Sequence, residues 1–300
     1  MGIAVFALFV VCACYVQLRG KVRHQKWTRR LTDHSNLMAP LNCLFYVFSR
    51  EKNTPYMEVS HFPELQTLQD NWQIIRDEAL ALNHEAQIKA SDDLDDLGFN
   101  SFFRTGWKRF YLSWYGDPVK SAAKLCPKTI ALLQAQPSVK GAMFAMLPPG
   151  ATLVKHRDPY AGSLRYHLGL VTPNDDKCFI NVDGEPYSWR DGEAVMFDET
   201  YIHYAENTTE ANRIVLFLDI KRPVTFAPID WINRGFSRVV MSASATKNMP
   251  GDKIGFLNRI FGSVYQIRIV GKKLKAYNRR LYYTLQYALY ALLIYLFFFA

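Results

Sequence analysis

The second half of the chain constrains the fold most, because from Val139 to about residue 222 it is a succession of short strand-like segments. These segments are rich in β-branched and aromatic residues and are bounded by Pro, Gly, Asn or Asp. No long helical pattern intervenes between them. Several short strands at near-regular spacing are typical of an antiparallel sandwich or jelly roll. We therefore predict a mainly β fold with a jelly-roll core at residues 139–225.

The residues before this core show helical periodicity. Segment 62–82 repeats apolar residues along one stripe, and a second helical pattern covers residues 121–134. We predict one domain over residues 62–225, in which flanking helices from residues 62–138 pack around the jelly roll.

Both ends of the chain are apolar and uncharged. Residues 2–18 are just long enough to span a bilayer, and residues 281–300 form a 20-residue run rich in Tyr and Phe. A signal peptide is the alternative for the first run, but no Lys or Arg precedes it and no cleavage site follows. We predict a transmembrane helix at each end, with the jelly-roll core between them.

The net charge of +9 is concentrated beside these two runs. Six Lys or Arg lie in residues 19–30 and six in residues 268–280, with no Asp or Glu in either segment. The rest of the chain is mildly acidic, which argues against nucleic acid as a partner. Because positive residues beside a span stay cytoplasmic, we expect residues 19–280 to lie in the cytoplasm and both chain ends to lie on the other side of the membrane. Five scattered cysteines without a CxxC pair fit a reducing compartment.

Two connecting segments complete the predicted domain organisation. Residues 19–61 are interpreted as a basic juxtamembrane segment and linker, and residues 226–280 as a linker followed by a basic amphipathic helix. The apolar residues of that helix recur at helical spacing from Ile254 to Val264. Such a helix either lies along an anionic membrane surface or packs on the core of the domain.

The letters H-R-D at His156 to Asp158 match the catalytic loop of a protein kinase. A kinase needs Asn five residues after the Asp, where this chain has Ser163, and it also needs a glycine-rich phosphate loop and a D-F-G motif. None of these is present, so the kinase interpretation is rejected.

A metal centre is the other interpretation. In an extended segment His156 and Asp158 project to the same face, and His203 is the candidate for a third ligand. Two His and one carboxylate form the facial triad of non-haem Fe(II) oxygenases, which leaves coordination positions open for co-substrate and O₂.

Three further polar residues lie on the predicted strands. Arg213 begins the apolar strand "RIVLFLDI" and would need an anionic partner if it were buried. A dicarboxylate such as 2-oxoglutarate suits a guanidinium fork. Arg165 and His167 share a strand face and either complete the same pocket or form a structural polar pair.

The run "PPGATLVKHRDP", with "LRYHLGL" and "WRDGEAVMFDETYIHYAENTTEANRIVLFLDI", resembles the aspartyl/asparaginyl β-hydroxylase family of Fe(II)/2-oxoglutarate dioxygenases over roughly residues 99–222. The resemblance implies a double-stranded β-helix and an iron site made by His156, Asp158 and His203. It also implies that Arg213 holds the distal carboxylate of 2-oxoglutarate, supported by Arg165 and His167.

This chain departs from the animal aspartyl β-hydroxylases at two positions. They have Gly where this chain has Asp158, so a full triad is a difference from them. A serine that lines their co-substrate pocket corresponds to Ala145 here.

The apolar ends and basic joints extend the resemblance to a bacterial inner-membrane branch of the family that acts on lipid A. That likeness implies hydroxylation at the 2-position of a secondary acyl chain of lipid A, with consumption of O₂ and release of succinate and CO₂. The implied partners are lipid A and the anionic membrane surface. The alternatives are a membrane-associated aspartyl/asparaginyl protein hydroxylase and a membrane-anchored jelly-roll binding module without turnover.

Overall fold

Two antiparallel sheets form the centre of the computed structural model, which describes residues 2–91 and 96–299. The strands are β1 Tyr56–Met57, β2 Lys108–Trp114, β3 Val139–Leu147, β4 Thr152–His156, β5 Ser163–Val171, β6 Cys178–Val182, β7 Glu185–Ser188, β8 Ala194–Phe197, β9 His203–Asn207 and β10 Arg213–Lys221. The larger sheet has the order β1-β8-β5-β10-β3-β2, and the smaller has the order β4-β9-β6-β7. The predicted mainly β, jelly-roll architecture is confirmed.

Helices pack against one face of the larger sheet, the face formed by alternate apolar residues of its strands. The α-helices are α1 Gly2–Leu18, α2 Trp27–Leu31, α3 Ala39–Val47, α4 Gln66–Asp70, α5 Trp72–His84, α6 Asn100–Phe103, α7 Lys120–Leu125, α8 Pro127–Gln134, α9 Ala227–Phe236, α10 Phe256–Tyr277 and α11 Arg279–Phe299. On β10, Ile214, Leu216 and Leu218 face the apolar residues of α4, α5, α7 and α8. Val215 and Phe217 face the other way, into the space between the two sheets. This alternation is the one the sequence predicts.

The helical prediction for residues 62–138 is wrong at Lys108–Trp114, which form β2 at the edge of the larger sheet beside β3. The physical reason is that alternate side chains of β2 enter two different apolar cores. Phe110 and Leu112 join the core on the helix side of the sheet, whereas Tyr111 and Trp114 join the core between the sheets. Both faces of β2 are therefore buried, a situation that favours an aromatic-rich strand over a helix.

The N-terminal segment packs on the domain. Cys12 and Val16 in the second half of α1 are buried with Phe45 and Tyr46 of α3, and with Tyr160 of the loop that follows β4. The first half of α1 is exposed, as Ile3 at 83% illustrates.

The two segments predicted to span a membrane do form helices, α1 and α11. Over residues 2–91 and 96–299, none of the helices combines the length and hydropathy needed to cross a bilayer. The two spans and the orientation derived from them stay predictions. The amphipathic helix is present as α10, with Leu257 half-buried and Val264 54% exposed.

Candidate metal centre and co-substrate pocket

The structure brings the three predicted metal ligands together where the smaller sheet ends. His156 is the last residue of β4 and His203 the first of β9, and the two are directly paired across the strands. Asp158 follows two residues after β4, where its backbone N–H donates to the Glu199 carbonyl at 2.9 Å. One potential ligand atom from each of the three side chains lies within 4.8 Å of the other two.

Backbone carbonyls fix the orientation of both imidazoles. His156 Nδ1 is 2.7 Å from the Val154 carbonyl oxygen, and His203 Nδ1 is 3.0 Å from the Tyr201 carbonyl oxygen. A carbonyl oxygen only accepts, so each Nδ1 carries the proton and each Nε2 keeps its lone pair. Such a bond on the far nitrogen is typical of a metal-ligating histidine.

The protonation states of these three groups suit a divalent cation. Burial lowers the pKa of His156, and burial together with the neighbouring His156 lowers the pKa of His203 to about 3. Burial raises the pKa of Asp158, but the positive charge of Arg165 opposes it, and that pKa stays below its usual value. At neutral pH the site therefore offers two neutral imidazoles and one carboxylate, the donor set of the facial triad.

Arg165 contacts the metal-site carboxylate. Its Nη2 donates to Asp158 Oδ2 at 2.8 Å, and its Nε donates to Asp219 Oδ1 at 3.0 Å. The same Nη2 is 3.8 Å from Glu199 Oε1. Residue 165 is predicted to support the co-substrate, but the structure places its guanidinium among three carboxylates and against the Phe217 ring.

Asp219 and Glu199 are buried acids that the sequence reasoning missed. Tyr115 Oη donates to Asp219 Oδ2 at 2.9 Å, and Ser163 Oγ donates to Glu199 Oε1 at 2.8 Å. Burial raises the pKa of Asp219 and raises that of Glu199 to about 8. The signal for Asp219 is in the sequence, since it continues the alternating inward face of β10.

Arg213 lies at the other end of that face and has no acidic partner in the described part of the chain. It is 2% exposed, its Nη1 donates to the Ala145 carbonyl at 3.3 Å, and its Nε has no hydrogen-bond partner. The guanidinium carbon lies 4.2 Å from the centre of the Trp189 ring. Burial lowers the pKa of Arg213 to about 10, which still leaves it charged at neutral pH. A buried cation with an open donor calls for an anionic ligand.

His167 lies beside Arg213 in the same cavity. It is 5% exposed, neither ring nitrogen has a partner, and aromatic rings surround it, with those of Phe197 and Phe217 both at 5.1 Å. Burial and the charge of Arg213 lower the pKa of His167 well below its usual value. A neutral imidazole with free nitrogens can donate a hydrogen bond to an anion held by Arg213.

All six predicted site residues line one cavity between the two sheets. Its lining is Phe99, Phe102, Trp107, Ala145, Leu153, His156, Asp158, Arg165, His167, Ile180, Trp189, Phe197, His203, Ala205, Arg213 and Phe217. The Phe102 ring lies 4.6 Å from the His156 ring, so an apolar wall adjoins the metal ligands. Ala145 offers this cavity a methyl group and no hydroxyl.

A double-stranded β-helix with two His and one Asp at the end of its smaller sheet has the form of a non-haem Fe(II) oxygenase. The family model for aspartyl/asparaginyl beta-hydroxylases matches residues 69–223, which is more than half of the chain. The chain belongs to the aspartyl/asparaginyl β-hydroxylase family.

Two relatives show the range of substrates among similar proteins. The ornithine lipid ester-linked acyl 2-hydroxylase of Rhizobium tropici is 34% identical over 188 residues, covering 62% of this chain and 66% of that protein. Human aspartyl/asparaginyl beta-hydroxylase is 29% identical over 180 residues, covering 57% of this chain and 22% of that protein. The chain thus spans about two thirds of the length of the first and about a fifth of the second. A Pseudomonas putida prolyl-4-hydroxylase structure is a distant likeness, with a TM-score of 0.34 at 16% identity over 52% of this chain and 88% of that one.

Proposed function

We propose that this protein is an Fe(II)/2-oxoglutarate-dependent dioxygenase that hydroxylates the 2-position of a fatty acyl chain in a membrane lipid. The observation that carries the proposal is the pairing of two features in one cavity. His156, Asp158 and His203 present free ligand atoms, and the buried Arg213 presents an unmatched positive charge.

Each residue has a separate role in the proposed enzyme. His156, Asp158 and His203 hold Fe(II), Arg213 binds the distal carboxylate of 2-oxoglutarate, and His167 donates a hydrogen bond beside it. Iron and 2-oxoglutarate, when bound, supply the oxidation of a C–H bond to C–OH by O₂ with release of succinate and CO₂. Arg165 orients the Asp158 carboxylate, and the aromatic wall excludes water from the apolar substrate.

Lipid A, hydroxylated on a secondary acyl chain, is the substrate that the resemblance of the sequence implies. Support for a lipid comes from the Rhizobium tropici relative, whose name describes hydroxylation at position 2 of an ester-linked acyl chain. The apolar side chains of Phe99, Phe102 and Trp107 match the chemistry of such a chain. Ornithine lipid is the alternative lipid, since that relative acts on it.

The proposed location is a bacterial inner membrane, with the catalytic domain in the cytoplasm and both termini in the periplasm. The basic segments at residues 19–30 and 268–280 support it through their charge alone. A periplasm-dependent reporter enzyme fused after Ala300 is expected to be active, and activity of a cytoplasm-dependent reporter there would contradict the topology.

Hydroxylation of a protein Asp or Asn side chain is the second candidate function, favoured by the 29% identity to the human β-hydroxylase. A membrane-anchored binding module without turnover is the third. The three differ in products. The purified full chain, given Fe(II) and 2-oxoglutarate, is offered lipid A, ornithine lipid or an Asp/Asn-containing peptide, and succinate and added oxygen are measured by mass spectrometry. One oxygen on a lipid acyl chain is expected; oxygen on the peptide alone, or no succinate, would contradict the proposal.

A further inference from the structure

A groove formed largely by the N-terminal segment opens beside the metal centre. One part is lined by Arg23, Lys26 and Arg29 of that segment together with Lys155 of β4. His24 and Arg29 also line an adjoining part, which reaches His156. His156 lines the central cavity as well, so the outer spaces adjoin that cavity at a metal ligand. We call the outer two parts the basic groove.

The basic groove is positively charged without internal compensation. Over the residues that the structure describes, Arg23, Lys26, Arg29 and Lys155 form no ion pair with a carboxylate. The acid of the groove, Asp33, is already engaged. His24 Nε2 lies 2.9 Å from Asp33 Oδ2, and Arg157 Nε lies 3.6 Å from the same oxygen. The free cations are therefore available to an anionic ligand.

The same segment presents apolar side chains to solvent. Trp27 is 70% exposed and Leu31 is 68% exposed, and their spacing places both on one side of α2. Leu37, a few residues further on, is 78% exposed. Exposed Trp and Leu beside Arg and Lys are typical of a surface that lies at the boundary between lipid and water.

The groove is held firmly against the loops that carry the metal ligands. Arg157, between two of those ligands, donates through Nη1 to the Val16 carbonyl of α1 at 2.5 Å. Arg19 Nη2 lies 3.0 Å from Asp198 Oδ2 on the loop before His203. The backbone N–H groups of Lys21 and Val22 donate to the Asp183 carboxylate. A fixed wall of this kind sets the distance between a bound anion and the metal site.

We propose that the basic groove binds the anionic head group of the lipid substrate, a phosphate or carboxylate, while an acyl chain of the same lipid passes His156 into the apolar cavity. This inference rests on the proposed lipid hydroxylase function and adds the site that recognises the head group. The N-terminal part of the groove lies outside residues 69–223, the region that the family model matches.

The test uses the full chain in detergent and a pair of variants that remove equal charge. Arg23→Gln/Lys26→Gln/Arg29→Gln removes three cations from the groove. Lys120→Gln/Lys124→Gln/Lys128→Gln removes three exposed cations from α7 and α8, on the opposite face of the larger sheet. Calorimetry measures the binding of soluble dihexanoyl phosphatidic acid, whose head group is anionic. Dihexanoyl phosphatidylcholine, whose head group is zwitterionic, is the comparison ligand.

The groove variant is expected to bind phosphatidic acid about tenfold or more weakly, as three fewer cations require, with the control variant unchanged. Arg23→Lys/Arg29→Lys is expected to keep most of the affinity. Equal affinities in the two Gln variants would overturn the proposal. A second measurement is co-flotation of the protein with anionic vesicles. A groove variant that no longer floats with the vesicles but keeps its affinity for soluble phosphatidic acid would also overturn the proposal, because that result assigns the cations to general membrane attraction.

Binding is measured without turnover, so its outcome is independent of the proposed function. Succinate formation by the groove variant at saturating lipid is expected to stay within about twofold of the parent protein, while its KM for the lipid rises about tenfold or more. A fall in kcat with unchanged KM would contradict a role in binding the head group.

Discussion

Arg165 and Asp158 form a 2.8 Å ion pair that uses the carboxylate oxygen not directed at His156. The second carboxylate oxygen, Oδ1, lies 3.9 Å from His156 Nε2 and stays available to a metal ion. Arg165 is also bound to Asp219 through Nε, so the larger sheet fixes the position of a ligand that belongs to a loop. Two adjacent strands, β5 and β10, thereby position the carboxylate of the candidate metal centre.

The first prediction concerns this ion pair. Arg165→Lys keeps the charge but removes the fork that spans two carboxylates, so Asp158 loses its fixed orientation. We expect the affinity for Mn(II), used as a redox-stable probe, to fall by about tenfold to a hundredfold. Titration calorimetry measures it, and Arg190→Lys, in an exposed pair with Asp176, is the control. An unchanged affinity would show that Arg165 does not position the ligand.

The second prediction concerns Arg213 and the co-substrate. A ligand that satisfies this buried charge stabilises the folded protein by about 2.7 kcal/mol at a hundredfold excess over its Kd. We expect 2-oxoglutarate with Mn(II) to raise the Tm of the parent protein, and Arg213→Met to abolish that rise while Mn(II) binding persists. Retention of the full rise by the variant would contradict the assigned role. Removing the unmatched cation is also expected to raise the Tm of the ligand-free protein.

The strand alternation and the spacing of His156, Asp158 and His203 were predictable, because strand periodicity and residue chemistry are local properties. The same alternation correctly put Arg213 on the inward face of β10. The partner of Arg165 was not predictable, since Asp219 is 54 residues away and pairs with it only through the register of β5 and β10. Likewise, no local pattern connects Arg157 to the carbonyl of Val16, because that contact depends on how α1 packs.

The third prediction concerns the N-terminal segment. The Arg19 and Asp198 side chains are 5% and 1% exposed, so Arg19→Gln leaves a buried carboxylate with Arg222 as its remaining cation. We expect the free energy of unfolding to fall by about 1–3 kcal/mol. Lys21→Gln removes a pair with Glu185 in which the two side chains are 74% and 49% exposed, and it is expected to leave the free energy of unfolding unchanged. Denaturant titration compares them, and equal effects would contradict a role for Arg19 in fixing α1.

The fourth prediction concerns acid. Burial lowers the pKa of His203 to about 3 and that of His167 well below its usual value, so the folded state resists their protonation. The unfolded chain takes up these protons below a pH of about 6.5. Stability from the two groups is therefore present above about pH 6.5 and is lost as pH falls towards the folded pKa values. We expect the metal-free protein to unfold more easily at pH 5 than at pH 7, by denaturant titration. His167→Gln should reduce that difference; an unchanged difference would sink the explanation.

The last prediction separates a full triad from a two-histidine centre. Asp158→Ala removes the carboxylate but leaves both Nε2 atoms and the 2-oxoglutarate pocket intact, whereas His156→Ala and His203→Ala each remove an imidazole. If all three side chains hold the iron, each variant loses more than about a hundredfold of its succinate-forming activity, beyond the usual effect of residues that only orient ligands. Circular dichroism verifies that each variant folds.

Asp158→Gly reproduces the residue that the resemblance assigns to animal relatives, and it tests whether a smaller side chain admits a water ligand instead. Retained turnover in both Asp158 variants, together with its loss in both His variants, would show that Asp158 is needed only to satisfy Arg165.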